Sequence, residues 1–296
     1  MRFVPILQPR IWGGRNLAKL GKQLPPREII GESWEVCDRP EAQSIVANGP
    51  LAGKSLDWLW RTCAEFRRQE AKFADHKRFP LLVKWLDCVE PLSVQVHPHA
   101  TAARRHGGEP KHEAWYVVAS SHGAKVWAGL KLGVTKQLFS RALADGSTEK
   151  LLRSFTPRPG DLINLPAGCV HAARGILFCE IQQNSDTTYR LHDWGRGREL
   201  HIEQGLASMD FNGRHATRRG RRITCPYFQI HQAMFARAWK PPLEFSIVCV
   251  VAGRGTIHWR GGTEPYSKGN CWLIPAKLPA CRFEPQGKTV AVVGRV

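Results

Sequence analysis

Residues 160–171 read Gly-Asp-Leu-Ile-Asn-Leu-Pro-Ala-Gly-Cys-Val-His, and this stretch decides the fold. After Gly160 the residues alternate and are mostly apolar, a pattern typical of a half-buried strand. Pro166 and Gly168 then favour a tight turn, after which His171 begins a returning strand. The stretch therefore predicts a strand, a turn and a second strand that presents one histidine at its start.

The spacing G-x5-P-x-G-x2-H in this stretch resembles the second metal motif of the cupin family. A histidine needs partners to hold a metal, so the upstream sequence decides whether the motif is functional. Residues 93–98 read Ser-Val-Gln-Val-His-Pro, and residues 111–118 read Lys-His-Glu-Ala-Trp-Tyr-Val-Val. Together the three segments favour a metal site over an isolated histidine in a turn.

Strand parity selects the ligands from these segments, because side chains on a strand point alternately to its two faces. In the first segment Gln95 and His97 share one face. In the second segment Glu113 shares a face with Lys111, whereas His112 points away. Parity therefore selects Glu113, and not His112, as a ligand.

The predicted metal site contains two imidazole nitrogens and two oxygens, with one formal negative charge. Zn²⁺ accepts such ligands and keeps a position open for water or substrate. We therefore predict one Zn²⁺ per chain, although manganese or iron also suits these ligands, because geometry and availability decide among them. The four ligands are Gln95, His97, Glu113 and His171.

Three further segments carry a more specific resemblance. Residues 183–190 read Gln-Asn-Ser-Asp-Thr-Thr-Tyr-Arg, residues 31–35 read Gly-Glu-Ser-Trp-Glu, and residues 12–14 read Trp-Gly-Gly. All three resemble signature segments of the type I mannose-6-phosphate isomerases, the zinc-dependent phosphomannose isomerases. The resemblance runs from about Gln8 to Phe211. No large helical domain lies between the second and third metal segments, so the chain is similar to the short bacterial form of that family.

The resemblance implies an aldose-ketose isomerase that interconverts mannose 6-phosphate and fructose 6-phosphate. Such a reaction moves a proton between neighbouring carbons through an enediolate, whose charge a metal ion stabilises. The family implies Arg190 as a catalytic residue. A guanidinium stays protonated, so we expect Arg190 to polarise substrate oxygens or steer proton transfer, with substrate anchoring as the other role. A purely structural ion pair with Asp186 or Asp193 is the remaining alternative.

Lys111 is the second catalytic candidate because strand parity places it beside the metal. It can act as a proton carrier, or it can bind the substrate phosphate together with the Ser93 hydroxyl. Glu32 and Trp34, which lie in the second family segment, are expected to serve packing and not chemistry.

Composition limits the classes of protein to consider. With 296 residues, 43% hydrophobic residues and 11 Trp, the chain can bury a substantial core. The N-terminus lacks the apolar core of a signal peptide, and no run of 18 apolar residues is present to span a membrane. The nine cysteines include no C-x2-C pair and are expected to be reduced and mostly buried. These features predict a cytoplasmic protein without a membrane partner.

The formal charge of +18 is the one extreme feature of the composition. Its densest run, residues 214–222, lacks the interleaved aromatic residues of a single-strand binder. We interpret the run as a solvated linker, and we expect the partner to be a sugar phosphate and not a nucleic acid. The sequence leaves open whether the protein is a monomer or a homodimer.

The fold class predicted is mostly β, with two cupin-like β-sandwich (jelly-roll) units and a few flanking helices. Residues 1–216 form the metal-binding unit, and residues 217–296 form a second unit without metal ligands. The second unit is predicted from Gly269 to Pro275, which repeats the G-x5-P spacing of the first without a following histidine. Helices are expected over 56–72 and, in two pieces, over 135–155.

A runner-up function uses the same metal site without catalysis. A metal-binding cupin that senses or binds an anionic sugar would keep the four ligands but would not need Arg190 or Lys111. The complete segment 183–190 favours the enzyme.

Overall fold

The computed structural model describes residues 1–63, 76–212, 216–276, 278 and 280–296, with backbone alone for residues 217–219. Four α-helices lie in the described part of the chain: α1 (Leu56–Thr62), α2 (Ala100–His106), α3 (Lys136–Ala144) and α4 (Ile202–Ser208). Two short 3-10 helices span Asn16–Leu20 and Thr148–Leu151. Among the described residues, no helix is both long and apolar enough to cross a membrane.

Strands form most of the regular structure. In chain order they are β1 (Ile6–Gly14), β2 (Ile30–Val36), β3 (Asp38–Arg39), β4 (Ala42–Gln43), β5 (Leu81–Cys88), β6 (Val94–Val96), β7 (Glu113–Leu130), β8 (Leu152–Phe155), β9 (Leu162–Leu165), β10 (His171–Gln183), β11 (Tyr189–His192), β12 (Thr217–Arg219), β13 (Arg222–Thr224), β14 (Gln229–Phe235), β15 (Ser246–Ala252), β16 (Arg254–Trp259), β17 (Gly262–Ser267), β18 (Cys271–Ile274), β19 (Arg282–Pro285) and β20 (Thr289–Arg295). The prediction of a mostly β protein is confirmed.

The first unit is built on a ten-stranded sheet with the central order β1-β2-β5-β10-β7-β9-β12. Strand β6 pairs with β10 and β11, and β8 pairs with β7. Along β5 the residues alternate in chemistry, so that Val83 and Trp85 join the main apolar core while Lys84 faces the other side. One face of this sheet is therefore apolar and the other carries charged side chains.

The second unit is a sandwich of two antiparallel sheets. The five-stranded sheet has the order β13-β14-β20-β15-β18, and the three-stranded sheet has the order β17-β16-β19. Val248 and Trp272 of the larger sheet pack with Phe283 of the smaller one. This arrangement confirms that the chain contains a second β-sandwich unit.

The repeat between the two units is visible in the backbone. Gly160 and Gly269 have φ values of +93° and +84°, and each precedes a four-residue strand, β9 and β18. At Gly269 a Cβ atom would lie 1.9 Å from the carbonyl oxygen of Leu20, so only glycine fits there. The same turn thus occurs in both units. In the second unit it also packs closely against the N-terminal segment at Leu20.

The two units share one apolar core between the ten-stranded and five-stranded sheets. Trp85 and Cys179 of the first unit and Ile247 and Leu273 of the second belong to the same buried cluster. The indole of Trp85 also donates to the carbonyl oxygen of Gly269 at 3.1 Å. Burial of each large apolar side chain contributes about 1.5–3 kcal/mol. The second unit therefore covers the apolar face of the first and leaves the charged face open.

The helix predicted over 56–72 begins as expected. The Ser55 hydroxyl accepts from the Trp58 amide at 3.1 Å, and α1 extends to Thr62. The remainder of that prediction, over 64–72, lies outside the described residues. Over 135–155 only the first piece is an α-helix, since a 3-10 helix and β8 follow Gly146.

The interpretation of residues 214–222 as a solvated linker is wrong for part of the run. Residues 217–219 form β12, which pairs with residues 162–164 of β9, and Arg222 begins β13. Residues 213–215 lie outside the described residues. The chain passes from the first sheet to the second between β12 and β13, and the division into units 1–216 and 217–296 stays a prediction.

Candidate metal centre and substrate cleft

Three buried side chains meet at one point on the charged face of the first unit. His97 Nε2 lies 3.1 Å from Glu113 Oε2, and His171 Nε2 lies 3.1 Å from Glu113 Oε1. His97 is 2% exposed, Glu113 is 0% exposed and His171 is 1% exposed. Among the described residues they form the group of histidine, cysteine and acidic side chains spaced closely enough to hold a metal ion.

The strands bring these residues together as parity predicts. His97 directly follows β6, Glu113 begins β7, and His171 begins β10, where it pairs with Gln95. The turn before His171 is fixed by the Gly168 amide, which donates to the His97 carbonyl oxygen at 2.9 Å. The quoted stretch thus positions its own histidine and the preceding ligand together.

Backbone carbonyls set the tautomer of both histidines. His97 Nδ1 lies 2.9 Å from the Thr187 carbonyl oxygen, and His171 Nδ1 lies 2.9 Å from that of Cys169. A carbonyl oxygen only accepts, so each Nδ1 carries the proton and each Nε2 presents a lone pair.

These lone pairs face the oxygens of Glu113, which also only accept when ionised. In the described part of the chain, His97 Nε2 and Glu113 Oε1 are buried without a hydrogen-bond partner, and Glu113 Oε2 lies 3.0 Å from the Lys111 ammonium. Two nitrogen lone pairs and a carboxylate at this separation repel one another unless a cation lies among them. The donor set therefore fits a divalent metal ion.

Gln95 completes the predicted set. Its Nε2 lies 3.3 Å from His171 Nε2, and its Oε1 accepts from the Ser93 hydroxyl at 3.1 Å. A half-turn of the amide brings Oε1, the atom predicted to bind the metal, to the same place. The structure therefore brings all four predicted ligands together.

The charges around the centre keep its ligands in the metal-binding state. Burial, followed by the nearby Lys111 ammonium, lowers the pKa of His97 to about 4, so its imidazole is neutral near pH 7. Burial would raise the pKa of Glu113, but the Lys111 ammonium at 3.0 Å holds it well below its usual range. Glu113 is therefore ionised.

The centre lies beneath a cleft of about 450 Å³. Gln95 and Lys111, which contact the centre, line the cleft together with Ser93 and Arg190. The predicted site residues therefore share one cavity, with the buried ligands below it.

Sequence reasoning missed Lys84 and Glu180, two buried charged residues of this cleft. Lys84 Nζ lies 3.4 Å from Glu32, 3.5 Å from Asp186 and 4.0 Å from Glu180. Burial by itself lowers the pKa of a lysine, but the nearby carboxylates outweigh this effect and raise the pKa of Lys84. Two charged residues with apolar neighbours were the available signals: Lys84 lies between Val83 and Trp85 in β5, and Glu180 lies between Cys179 and Ile181 in β10.

Glu180 is a buried carboxyl of the cleft whose pKa is raised. Burial, together with the negative charge of Glu113, raises the pKa of Glu180 to about 7. Its Oε2 accepts from the Trp115 indole at 2.8 Å. A carboxyl with these properties can exchange a proton near neutral pH.

Glu32 makes ion pairs and a hydrogen bond in addition to packing contacts. Glu32 lines the cleft, accepts from the Trp34 indole at 2.6 Å and pairs with Arg10 at 3.0 Å. Burial opposes ionisation, but Lys84 and then Arg10 lower the pKa of Glu32 to about 2. Trp34 is buried, as expected of a packing residue.

Arg190 lies in the cleft wall, and the ion pairs considered for it are made by other residues. Asp193 binds Arg196 and Arg198, and Asp186 lies against Lys84. Arg190 Nη1 donates to the Glu199 carbonyl oxygen at 2.6 Å, and its Nε is buried without a partner among the described residues.

His112 points away from the metal centre, as parity predicts. Its Nε2 donates to Asn164 Oδ1 at 2.8 Å, and its ring packs edge-on against Phe228 with centroids 5.6 Å apart. The imidazole next to Glu113 in sequence therefore belongs to the contact with the second unit.

The comparisons with known proteins agree with this geometry. The family model for the catalytic domain of phosphomannose isomerase type I matches residues 1–118. Mannose-6-phosphate isomerase ManA of Bacillus subtilis (strain 168) is 33% identical over 304 residues, which covers 95% of each chain. A crystal structure of the mannose 6-phosphate isomerase from Bacillus subtilis matches with a TM-score of 0.90 and 29% identity, covering 100% of this chain and 99% of the other.

A zinc-bound mannose 6-phosphate isomerase shares the fold, with a TM-score of 0.74 and 17% identity, over 100% of this chain and 99% of the other. Likeness at that identity shows the fold alone. Similarity over nearly the whole length of the Bacillus subtilis relative decides the family. The chain belongs to the type I mannose-6-phosphate isomerases.

Proposed function

We propose that the protein interconverts mannose 6-phosphate and fructose 6-phosphate. The observation that carries the proposal is the convergence of two imidazole lone pairs and an ionised carboxylate beneath a charged cleft, in a chain of this family. A coupled assay for fructose 6-phosphate formed from mannose 6-phosphate, with and without a chelator, tests it. Activity that a chelator leaves intact contradicts the metal-assisted reaction.

The ligands proposed for one Zn²⁺ per chain are Gln95, His97, Glu113 and His171. Zinc is the ion named for a relative of the same fold, and these nitrogen and oxygen donors suit it. When bound, zinc supplies a Lewis acid that stabilises negative charge on the sugar oxygens. Other divalent metals with the same ligand preferences are alternatives.

The reaction requires a proton to leave C2 of the aldose and a proton to be added at C1. Lys111 lies 3.0 Å from Glu113 and lines the cleft, and we propose it as a proton carrier. Its alternative role is to bind the substrate phosphate together with Ser93. Glu180 adds a carboxyl suited to the same task, since its pKa lies near 7. Arg190, with its Nε directed to no described partner, is proposed to polarise the oxygens between which the carbonyl moves.

The partner proposed is a small sugar phosphate, in the cytoplasm. All nine cysteines have free thiols, which suits a reducing compartment. Seven of the nine are buried, as predicted. We propose that neither a nucleic acid nor a membrane is a partner. Binding to a random DNA duplex at two ionic strengths tests the first point, since the net positive charge is the only feature that favours a nucleic-acid partner.

A further inference from the structure

Among the described side chains, each positive charge in the inner part of the cleft already has a carboxylate partner. Lys84 is matched by Glu32 and Asp186, and Lys111 lies 3.0 Å from Glu113. Arg10 pairs with Glu32 at 3.0 Å. A dianionic group placed there would have to compete with carboxylates that are already paired.

The more exposed end of the cleft has an excess of positive charge. Arg196 and Arg198 both bind Asp193. Arg196 Nη2 donates to Asp193 Oδ1 at 2.9 Å, and Arg198 Nε donates to Asp193 Oδ2 at 2.9 Å. Arg190 donates to a neutral carbonyl, that of Glu199. Arg196 and Arg198 therefore share the Asp193 carboxylate, and Arg190 forms no ion pair among the described residues. Burial, and then Arg198, lowers the pKa of Arg190, which reflects this crowding.

Geometry distinguishes the two arginines that Asp193 holds. Arg198 lines the cleft with Ser93 and Thr188, whereas Arg196 is not among the residues of its wall. Asp193 is 5% exposed and binds Arg198 through both carboxylate oxygens, since Arg198 Nη2 also lies 2.5 Å from Asp193 Oδ1. This grip fixes the guanidinium plane and leaves the Nη1 hydrogens for a ligand.

We propose that Arg198, oriented by Asp193, binds the phosphate group of the sugar phosphate. The inference rests on the proposed function and adds to it the location of the phosphate. A phosphate monoester carries a charge of about −1.5 to −2 near pH 7, which the guanidinium groups of Arg198 and the neighbouring Arg190 offset. A planar guanidinium also matches two phosphate oxygens at once. The sugar then extends from Arg198 past Arg190 toward Gln95 and Lys111.

Kinetics of Arg198→Gln and Arg196→Gln test this assignment. Both variants remove one arginine from Asp193, but only Arg198 reaches the cleft. We expect Arg198→Gln to raise KM for mannose 6-phosphate at least about tenfold while kcat stays within about threefold, because the lost contact is made equally in the ground and transition states. Arg196→Gln should keep both constants within about threefold. Arg198→Lys, which retains the charge but not the fork, should give an intermediate KM and replaces Arg198→Gln if that variant does not fold.

Calorimetric titration with inorganic phosphate separates this inference from the proposed function. Phosphate should bind the wild type and Arg196→Gln with similar affinity and Arg198→Gln at least about tenfold more weakly, whatever reaction the protein catalyses. Equal affinity in all three proteins overturns the assignment, and so does equal weakening by both substitutions. An unchanged KM in an active Arg198→Gln also overturns it.

Discussion

His112 and Glu113 are consecutive residues whose side chains leave opposite faces of the ten-stranded sheet. The Glu113 oxygens lie 3.1 Å from two imidazole nitrogens, whereas His112 packs against Phe228 of the second unit. One step along a strand therefore separates the metal centre from the contact between the units.

This relationship predicts different outcomes for two histidine substitutions. His171→Ala should abolish isomerase activity chiefly through loss of metal, whereas His112→Ala should leave the metal content near that of the wild type. Both changes remove an imidazole, so the comparison isolates position. Metal analysis of the purified variants checks it. An empty site in His112→Ala with a full one in His171→Ala would contradict the ligand set.

The purified protein should contain one tightly held divalent ion per chain, bound in the first unit. In the described part of the chain, the group able to hold a metal lies at His97, Glu113 and His171. Elemental analysis after growth with zinc measures the stoichiometry. Two equivalents of bound metal, or none, would disprove this prediction.

Arg190→Lys should retain the fold and the metal but lower kcat by roughly a hundredfold or more, with little change in KM. Lysine keeps the charge and loses the planar donor geometry, and loss of one oriented donor has about this effect on turnover. Steady-state kinetics measures both constants. A raised KM with an intact kcat would instead assign Arg190 to substrate anchoring and leave catalysis to Lys111 or another group.

Glu32→Gln should change how stability depends on pH. The pKa of Glu32 is depressed from 4.5 to about 2 in the folded protein, so its contribution is fully present above pH 4.5 and is lost as the pH falls toward 2. The contribution is about 3 kcal/mol. Urea unfolding at several pH values should show the variant less stable than the wild type at pH 6, with the difference shrinking toward pH 3. A difference that stays constant with pH would contradict the depressed pKa.

Gly269→Ala should destabilise the protein more than Gly287→Ala does. The two glycines have φ values of +84° and +87°, so an alanine at either position suffers similar backbone strain. At Gly269 the new Cβ would also meet the Leu20 carbonyl oxygen at 1.9 Å, whereas at Gly287 nothing lies within 4 Å. We expect Gly269→Ala to lose at least about 2 kcal/mol more in unfolding free energy. Equal losses would show that the structure accommodates a Cβ atom at Gly269 in spite of the nearby Leu20 carbonyl oxygen, which would contradict this prediction.

Local signals were sufficient for several parts of the structure. Ser55 marked the start of α1, and the Gly-x5-Pro spacing marked two equivalent turns, because these features depend on neighbouring residues alone. The C-terminal part of the basic run was mistaken for a linker. Its pairing with β9 joins segments about fifty residues apart, and composition contains no information on such a partner.

The sequence by itself determined the set of residues at the metal centre. A strand has a period of two, so parity alone placed Gln95 with His97 and Lys111 with Glu113 and turned His112 away. Only the tertiary structure decided which charges surround that centre. Parity names the face on which a side chain lies, but the neighbours on that face depend on strand order and register. These brought Lys84 of β5 to Glu32 of β2, and a loop folding back brought Arg198 to Asp193 at the cleft wall.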